Sequence, residues 1–281
     1  MFYLVEITKN KIGDKFMRKS ILLAMLLLLS VSSANAALAP LNVQQAAINT
    51  ENPDQLTIGF DWFHDHGSSA GSETSSDGFN LLRMDWRHSL DTGIPTRIGM
   101  SAGLSYGTTD STTGDSSAFG FSNIGLSLEA ALVDEEDFAL TWYINQHFPM
   151  VQSSLLLNNT LRPVSGRNAY GFQTGAEYTI SLGDNLAWHG DVGYRFDVPD
   201  AGATQHSLIY YNEAVWSGED FGLSLGLLGN TVYTDNLGTD LRLVPGIIIP
   251  MDDMQFRAGL PLGINNDSPD IGVQASIYKT F

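Results

Sequence analysis

Arg97-Ile-Gly-Met-Ser-Ala-Gly-Leu-Ser-Tyr106 alternates strictly: Ile98, Met100, Ala102, Leu104 and Tyr106 share one parity, and Arg97, Gly99, Ser101, Gly103 and Ser105 the other. Successive side chains of a strand point to opposite faces, so this stretch is a strand with one apolar face and one polar or small face. A helix would scatter the same residues around its circumference. The question for the rest of the chain is how often the pattern returns and what covers the apolar face.

It returns at about 55–64, 78–88, 96–107, 119–132, 138–148, 169–181, 186–196, 206–217, 221–230, 239–249, 254–264 and 270–281, twelve segments in all. The connections alternate in kind. Leu90–Pro95, Val133–Asp137, Leu182–Asn185, Gly218–Asp220 and Pro250–Asp253 are short. Asp65–Asp77, Thr108–Ala118, Pro149–Asn168, Asp197–Gln205, Thr231–Gly238 and Asn265–Pro269 are mostly longer and rich in Ser, Thr, Asn, Asp and Gly. An even number of strands, with tight turns at one end and loops at the other, predicts an all-β transmembrane antiparallel β-barrel of about 12 strands in the bacterial outer membrane. The same topology places both termini on the periplasmic side with the five short turns.

The cost of charge in lipid decides which face looks out. The sets Ile124/Leu126/Leu128/Ala130/Leu132, Phe138/Leu140/Trp142/Ile144 and Met254/Phe256/Ala258/Leu260/Leu262/Ile264 carry no ionisable group. A lipid-facing Arg at the midplane costs about 2–4 kcal/mol, so the opposite, charged faces are expected to line the lumen. Trp62, Trp86, Trp142, Trp188, Trp216, Tyr106, Tyr178 and Tyr194 fall near strand ends on the apolar faces, as aromatic girdles do at membrane–water interfaces. The chain closes on a strand whose outward set is Ile271, Val273, Ala275, Ile277, Lys279 and Phe281. A terminal Phe in that setting resembles the signal read by the outer-membrane assembly machinery, although Lys279 stands where an apolar or aromatic residue is usual.

The N-terminal region follows a different logic. Met17-Arg-Lys-Ser, an apolar run from Ile21 to Leu29, and small residues at Ala34 and Ala36 describe a secretory signal too short to span a bilayer. The expected boundaries are therefore a signal peptide at 1–36, with Met1 or Met17 as the start; 37–54 as a periplasmic lead-in or a short plug in which Leu41–Ile48 enters the lumen; and the barrel at 55–281. Removing residues 1–36 takes away five basic and two acidic groups and leaves 9 Lys+Arg against 29 Asp+Glu. So acidic a chain repels phosphate backbones, which argues against nucleic acid as a partner. With no cysteine there is no disulfide framework, thiolate metal site, cysteine nucleophile or lipidated N-terminal cysteine. The expected partners are outer-membrane lipid and lipopolysaccharide, the assembly machinery through Phe281, and a small-molecule solute.

Parity assigns Arg83, Asp85, Arg87, Glu129, Glu177, Asp191, Arg195, Arg242 and Arg257 to the lumen, where opposing charges form a constriction that sets pore size and ion preference. Arg97, Asp61, Glu213 and Asp240 share those faces. A structural ion-pair network filling a narrow barrel accounts for the same residues, and the sequence leaves both readings open. Gly99, Ser101, Gly103 and Ser105 are expected to leave space beside their wall, and Tyr143, Tyr211 and Tyr278 to offer inward stacking surfaces.

Other constellations are weaker. His64 and His66 project to one side of a strand beside Asp61 and Asp65, but no third ligand is fixed by spacing, so a solvated loop start is preferred and no metal or other cofactor is expected. Asp65, Glu73, Asp77, Asp110 and Asp115 read as solvated loop acids. A lipid- or peptide-hydrolysing barrel is the rival of another class, with His147 beside Tyr143 and Asn145 as its first candidate. No spacing joins a nucleophile to a base and an orienting group, so an enzyme is not expected.

Leu243-Val-Pro-Gly-Ile-Ile-Ile-Pro250 and Arg257-Ala-Gly-Leu-Pro-Leu-Gly-Ile-Asn265, followed by the strand ending in Phe281, resemble the C-terminal part of the outer-membrane family named for the meta pathway of phenol degradation. The resemblance covers roughly the last forty residues, together with length and signal peptide. It implies a twelve-stranded outer-membrane barrel that passes small, often hydrophobic or aromatic, compounds, and it brings no catalytic residues.

Overall fold

The computed structural model describes residues 46–69, 72–111, 116–149, 169–199, 204–233, 238–265 and 268–281. The expected signal peptide at 1–36, residues 37–45 of the lead-in, and residues 150–168 of the longest expected loop lie outside the described residues.

Twelve antiparallel strands form one closed sheet. They are β1 (Asp54–Ser69), β2 (Ser72–Asp91), β3 (Pro95–Ser111), β4 (Ser116–Phe121, continuing as Ile124–Asp134), β5 (Phe138–Phe148), β6 (Ala169–Ser181), β7 (Leu186–Pro199), β8 (Gln205–Ser217), β9 (Gly222–Val232), β10 (Gly238–Met251), β11 (Met254–Gly259, continuing as Leu262–Gly263) and β12 (Ile271–Thr280). Each pairs with its sequence neighbours, and β1 pairs with β12 from Gln55↔Thr280 to His64↔Ile271, which closes the barrel. Both halves of β4 lie on β3, and both halves of β11 lie between β10 and β12. The break in β11 falls at Pro261, which has no N–H to give the ladder.

One end of the barrel, the turn end, carries all five tight connections together with the start of β1 and the end of β12. Gly93 and Gly183 sit in two of these turns at φ 84° and 99°, where a side chain would be strained, and Asp252 takes φ 50° in the two-residue turn between β10 and β11. The loop end differs from expectation at its first hairpin. Most of the expected loop Asp65–Asp77 is paired strand, continuing to Ser69↔Ser72. Ladder hydrogen bonds persist there although the apolar alternation of the sequence stops.

Two bulges reset the alternation. Gly59 faces Arg83 while Asp61 faces Asn80, and on the other side Asn80 faces Ser105 while Leu82 faces Leu104, so Leu81 is an extra residue in both ladders. Leu132 is the extra residue between the Ala131↔Thr141 and Val133↔Leu140 pairs.

The result is a protein built inside out. Met100, Leu126, Leu128, Trp142, Trp188, Val192, Leu223, Leu225, Ile247 and Val273 are exposed on the outer face. Arg97, Glu129, Thr141, Glu177, His189, Glu213, Gln255 and Ser276 are buried on the inner one. That inversion is stable only where lipid covers the outside. Lys279, outward in β12, fits this scheme by pairing with Asp253 in the adjacent turn at 2.8 Å and lying over the Phe281 ring at 5.0 Å.

Candidate functional site

The inner wall is positioned by glycine as much as by charge. A Cβ at Gly99 would press on the Arg87 stem at 3.0 Å, so this glycine lets Arg87 of β2 lie flat across β3. The space expected beside the Gly99–Ser105 wall is thus filled by side chains of neighbouring strands. Gly175 and Gly193 likewise make room for the Tyr143 hydroxyl.

Tyr143 is almost fully buried, donates to Asp191 at 2.7 Å and accepts from Gln173 at 2.7 Å, so it is part of the wall and offers no stacking face to a solute.

Arg83, Asp85, Arg87, Glu129, Glu177, Asp191, Arg195, Arg242 and Arg257 all lie on inner faces, but they do not converge on one ring. A lower tier, toward the turn end, is a chain of contacts across β2, β3, β4 and β6. Arg87 bonds Asp85 at 2.7 Å and also Glu129; Arg97 bonds Glu129 and lies 3.5 Å from Glu177. Arg97 and Glu129 are essentially inaccessible to solvent. Arg257 belongs to the same end; it donates to Ser276 at 3.2 Å and Thr57 at 3.4 Å and lies over Tyr278 at 5.0 Å.

An upper tier lies toward the loop end. Arg195 is paired with Asp197 at 2.9 Å. Arg242 grips Asp240 through two nitrogens at 2.9 and 2.6 Å and covers the Phe63 ring at 4.8 Å. Arg83 pairs with Asp61 at 3.1 Å between the tiers. The partners of Arg195 and Arg242 are therefore Asp197 and Asp240, two residues away on the same strand, and not Asp191 or Glu177 across the lumen. Arg-x-Asp or Asp-x-Arg on a strand puts both groups on one face, a spacing that could have pointed to these pairs but that sequence reasoning missed.

Arg97, which parity placed on the inner face but outside the nine-residue set, is the central cation of the lower tier. Sequence reasoning also missed Thr141, Thr179 and His189. Thr141 Oγ1 donates to the Ala46 carbonyl at 2.6 Å, Thr179 Oγ1 accepts from the Ala46 N–H at 3.2 Å, and Thr179 Oγ1 meets His189 Nδ1 at 3.0 Å. Ala46 and Ile48 are buried against this inner wall, just below the lower tier. Side chains of β8 and β10 give the wall a different character, with Ile209, Val215, Val244 and Ile248 buried on inner faces.

The remaining candidates resolve as follows. His147 lies inward over Gly125, where an added Cβ would sit 3.2 Å from its Nδ1, and among the described residues no hydroxyl or carboxylate hydrogen-bonds its ring. His64 faces outward and pairs with Asp77 at 3.0 Å. Asp77, expected to be a solvated loop acid, is instead an outward strand residue. Among the described residues no three His, Asp or Glu side chains gather as a metal site would require.

No family model and no curated protein matches the chain. Solved structures do match in fold. The COG4313 outer membrane channel from Pseudomonas putida F1 superposes with a TM-score of 0.64 at 13% identity, over 87% of this chain and 100% of that one. The transport unit of the autotransporter AIDA-I from Escherichia coli gives 0.53 at 10% identity, over 82% and 90%. The beta domain of the Bordetella autotransporter BrkA gives 0.50 at 11% identity, over 82% and 99%. The chain has the outer-membrane β-barrel fold.

Proposed function

We propose that this chain is an outer-membrane channel for passive passage of small solutes, with the turn end in the periplasm and the loop end outside. The observation that carries the reading is the lumen itself: a closed barrel whose inner face carries ion pairs on β1 to β4, β6, β7 and β10 and has apolar patches on β8 and β10. Such a wall suits a solute with an apolar or aromatic body, and the resemblance of Leu243–Pro250 and Arg257–Asn265 to the meta-pathway family favours the same class. Similarity in fold to an outer membrane channel supports passage over hydrolysis. The Ala46 contacts support a reading of residues 46–48 as a short plug at the periplasmic mouth, and in the same reading Phe281, whose N–H bonds the Asp54 carbonyl at 2.9 Å, is the residue offered to the assembly machinery.

In this reading the two charged tiers filter ions. The inward carboxylates Asp61, Asp85, Glu129, Glu177, Asp191, Asp197, Glu213 and Asp240 outnumber the six inward arginines, so the pore should prefer cations. Arg83 and Arg195 are the better exposed of the ion-paired arginines, with side chains 46% and 26% accessible, and are felt most by passing ions. In planar bilayers the Arg83→Ala/Arg195→Ala protein should shift its reversal potential further toward cations. Deleting residues 46–48 should raise single-channel conductance. Purified protein that forms no channel and takes up no aromatic, fatty or sugar solute would remove the reading. Growth defects of a deletion strain on sugars alone, with aromatic compounds unaffected, would remove the choice of solute.

A further inference from the structure

One constellation occurs twice on the outer face of the β1–β2 hairpin, once at each end. Toward the loop end, Trp62 and His64 of β1 stack with centroids 6.2 Å apart, and Asp77 Oδ1 of β2 accepts from Trp62 Nε1 at 3.1 Å and meets His64 Nδ1 at 3.0 Å. Toward the turn end the strands exchange roles. Trp86 and His88 of β2 stack at 6.0 Å, and Asp54 Oδ1 of β1 takes Trp86 Nε1 at 3.2 Å and His88 Nδ1 at 3.1 Å. The Leu81 bulge makes the recurrence possible, because without it odd-numbered Asp77 and even-numbered Trp86 and His88 would face opposite sides.

An ionised carboxylate only accepts, so each Nδ1 carries a proton and each Nε2 is the atom left for another partner. Within the described residues neither Nε2 is hydrogen-bonded, and the two side chains are 35% and 33% accessible. The clusters are also correctly spaced. Asp54 and His64 are ten positions apart on β1, about 33 Å along a strand and about 25 Å along the membrane normal at a barrel strand's tilt, the height of the apolar band.

We propose that these clusters are lipid headgroup sites, one in each leaflet, in which Nε2 of His64 or His88 holds the phosphate of a bilayer lipid while Asp77 or Asp54 fixes the ring and balances its charge. The imidazolium donates to a phosphate oxygen, and the indole stacked on its membrane side lies along the glycerol and upper acyl region, where Trp is favoured. A local cation is needed because the chain as a whole carries a formal charge of −17 and repels anionic headgroups. The inference does not depend on which solute passes through the lumen.

Native mass spectrometry of the folded barrel, with dioleoyl phosphatidylglycerol as the probe and phosphate-free dioleoylglycerol as control, tests it. Asn retains a donor at the position of Nδ1, so His64→Asn and His88→Asn keep the bond to Asp and lose only the outward nitrogen. Wild type should retain two phospholipids after the remainder are stripped, each single variant one, and the double variant none, all with unchanged heat-modifiable mobility on gels. Equal retention by the double variant, or dioleoylglycerol held by the wild type as firmly as phosphatidylglycerol, would overturn the proposal. The second comparison needs no variant.

Discussion

Arg97→Met is expected to lower the unfolding free energy by about 3–5 kcal/mol, the cost of removing one partner from a buried ion pair. Arg97 is fully buried and bonds Glu129, with Glu177 at 3.5 Å, so the substitution removes the buried cation that both carboxylates share and leaves Arg87 alone beside Glu129. Reversible urea unfolding in phospholipid vesicles measures this directly. The Arg97→Met/Glu129→Gln protein should be less destabilised than the sum of its single changes, because removing both charges together removes the mutual penalty. A loss below about 1 kcal/mol would mean that the pair behaves as an exposed one and that the lower tier is freely wetted.

Leu225→Arg should cost about 2–4 kcal/mol. Leu225 is the middle of the outward set Leu223, Leu225 and Leu227 on β9, lies between Ala214 and Pro245 of the adjoining strands, and is half exposed. An arginine there has only lipid around it. Asn145→Arg, on the inner face of β5 opposite Ser127 and Gln173, should change the same unfolding curve by no more than about 0.5 kcal/mol. Equal costs at the two positions would contradict the inside-out arrangement.

The strands were legible because lipid imposes one strong rule on each of them: no charge outside. Ile98, Met100, Ala102, Leu104 and Tyr106 obey it without exception, and so the strand count and the short turns could be read directly. Where the rule does not operate, the reading failed. Residues 65–69 and 72–77 form a paired hairpin that carries no lipid-facing pattern. Leu81 and Leu132 are apolar residues in apolar surroundings, and nothing in their identity marks them as bulges. Parity could place Arg195 and Arg242 on inner faces but could not choose their partners, since reach across a lumen depends on barrel radius while reach along a strand does not. The small residues were misread for a related reason: Gly99, Gly175 and Gly193 look like empty space in sequence and in the barrel are the seats of Arg87 and Tyr143.

The central claim is that the sheet closes on itself with its apolar face outward, and the seam between β1 and β12 is where that claim is most exposed. The chain has no cysteine, so single cysteines can be placed and spin-labelled along Gly272–Tyr278 without background. In vesicles, accessibility to oxygen should peak at 273, 275 and 277, and accessibility to a water-soluble nickel complex at 274 and 276, with a period of two. A profile without that period, or with nickel accessibility greatest at 273, 275 and 277, would contradict a closed barrel lined by polar side chains.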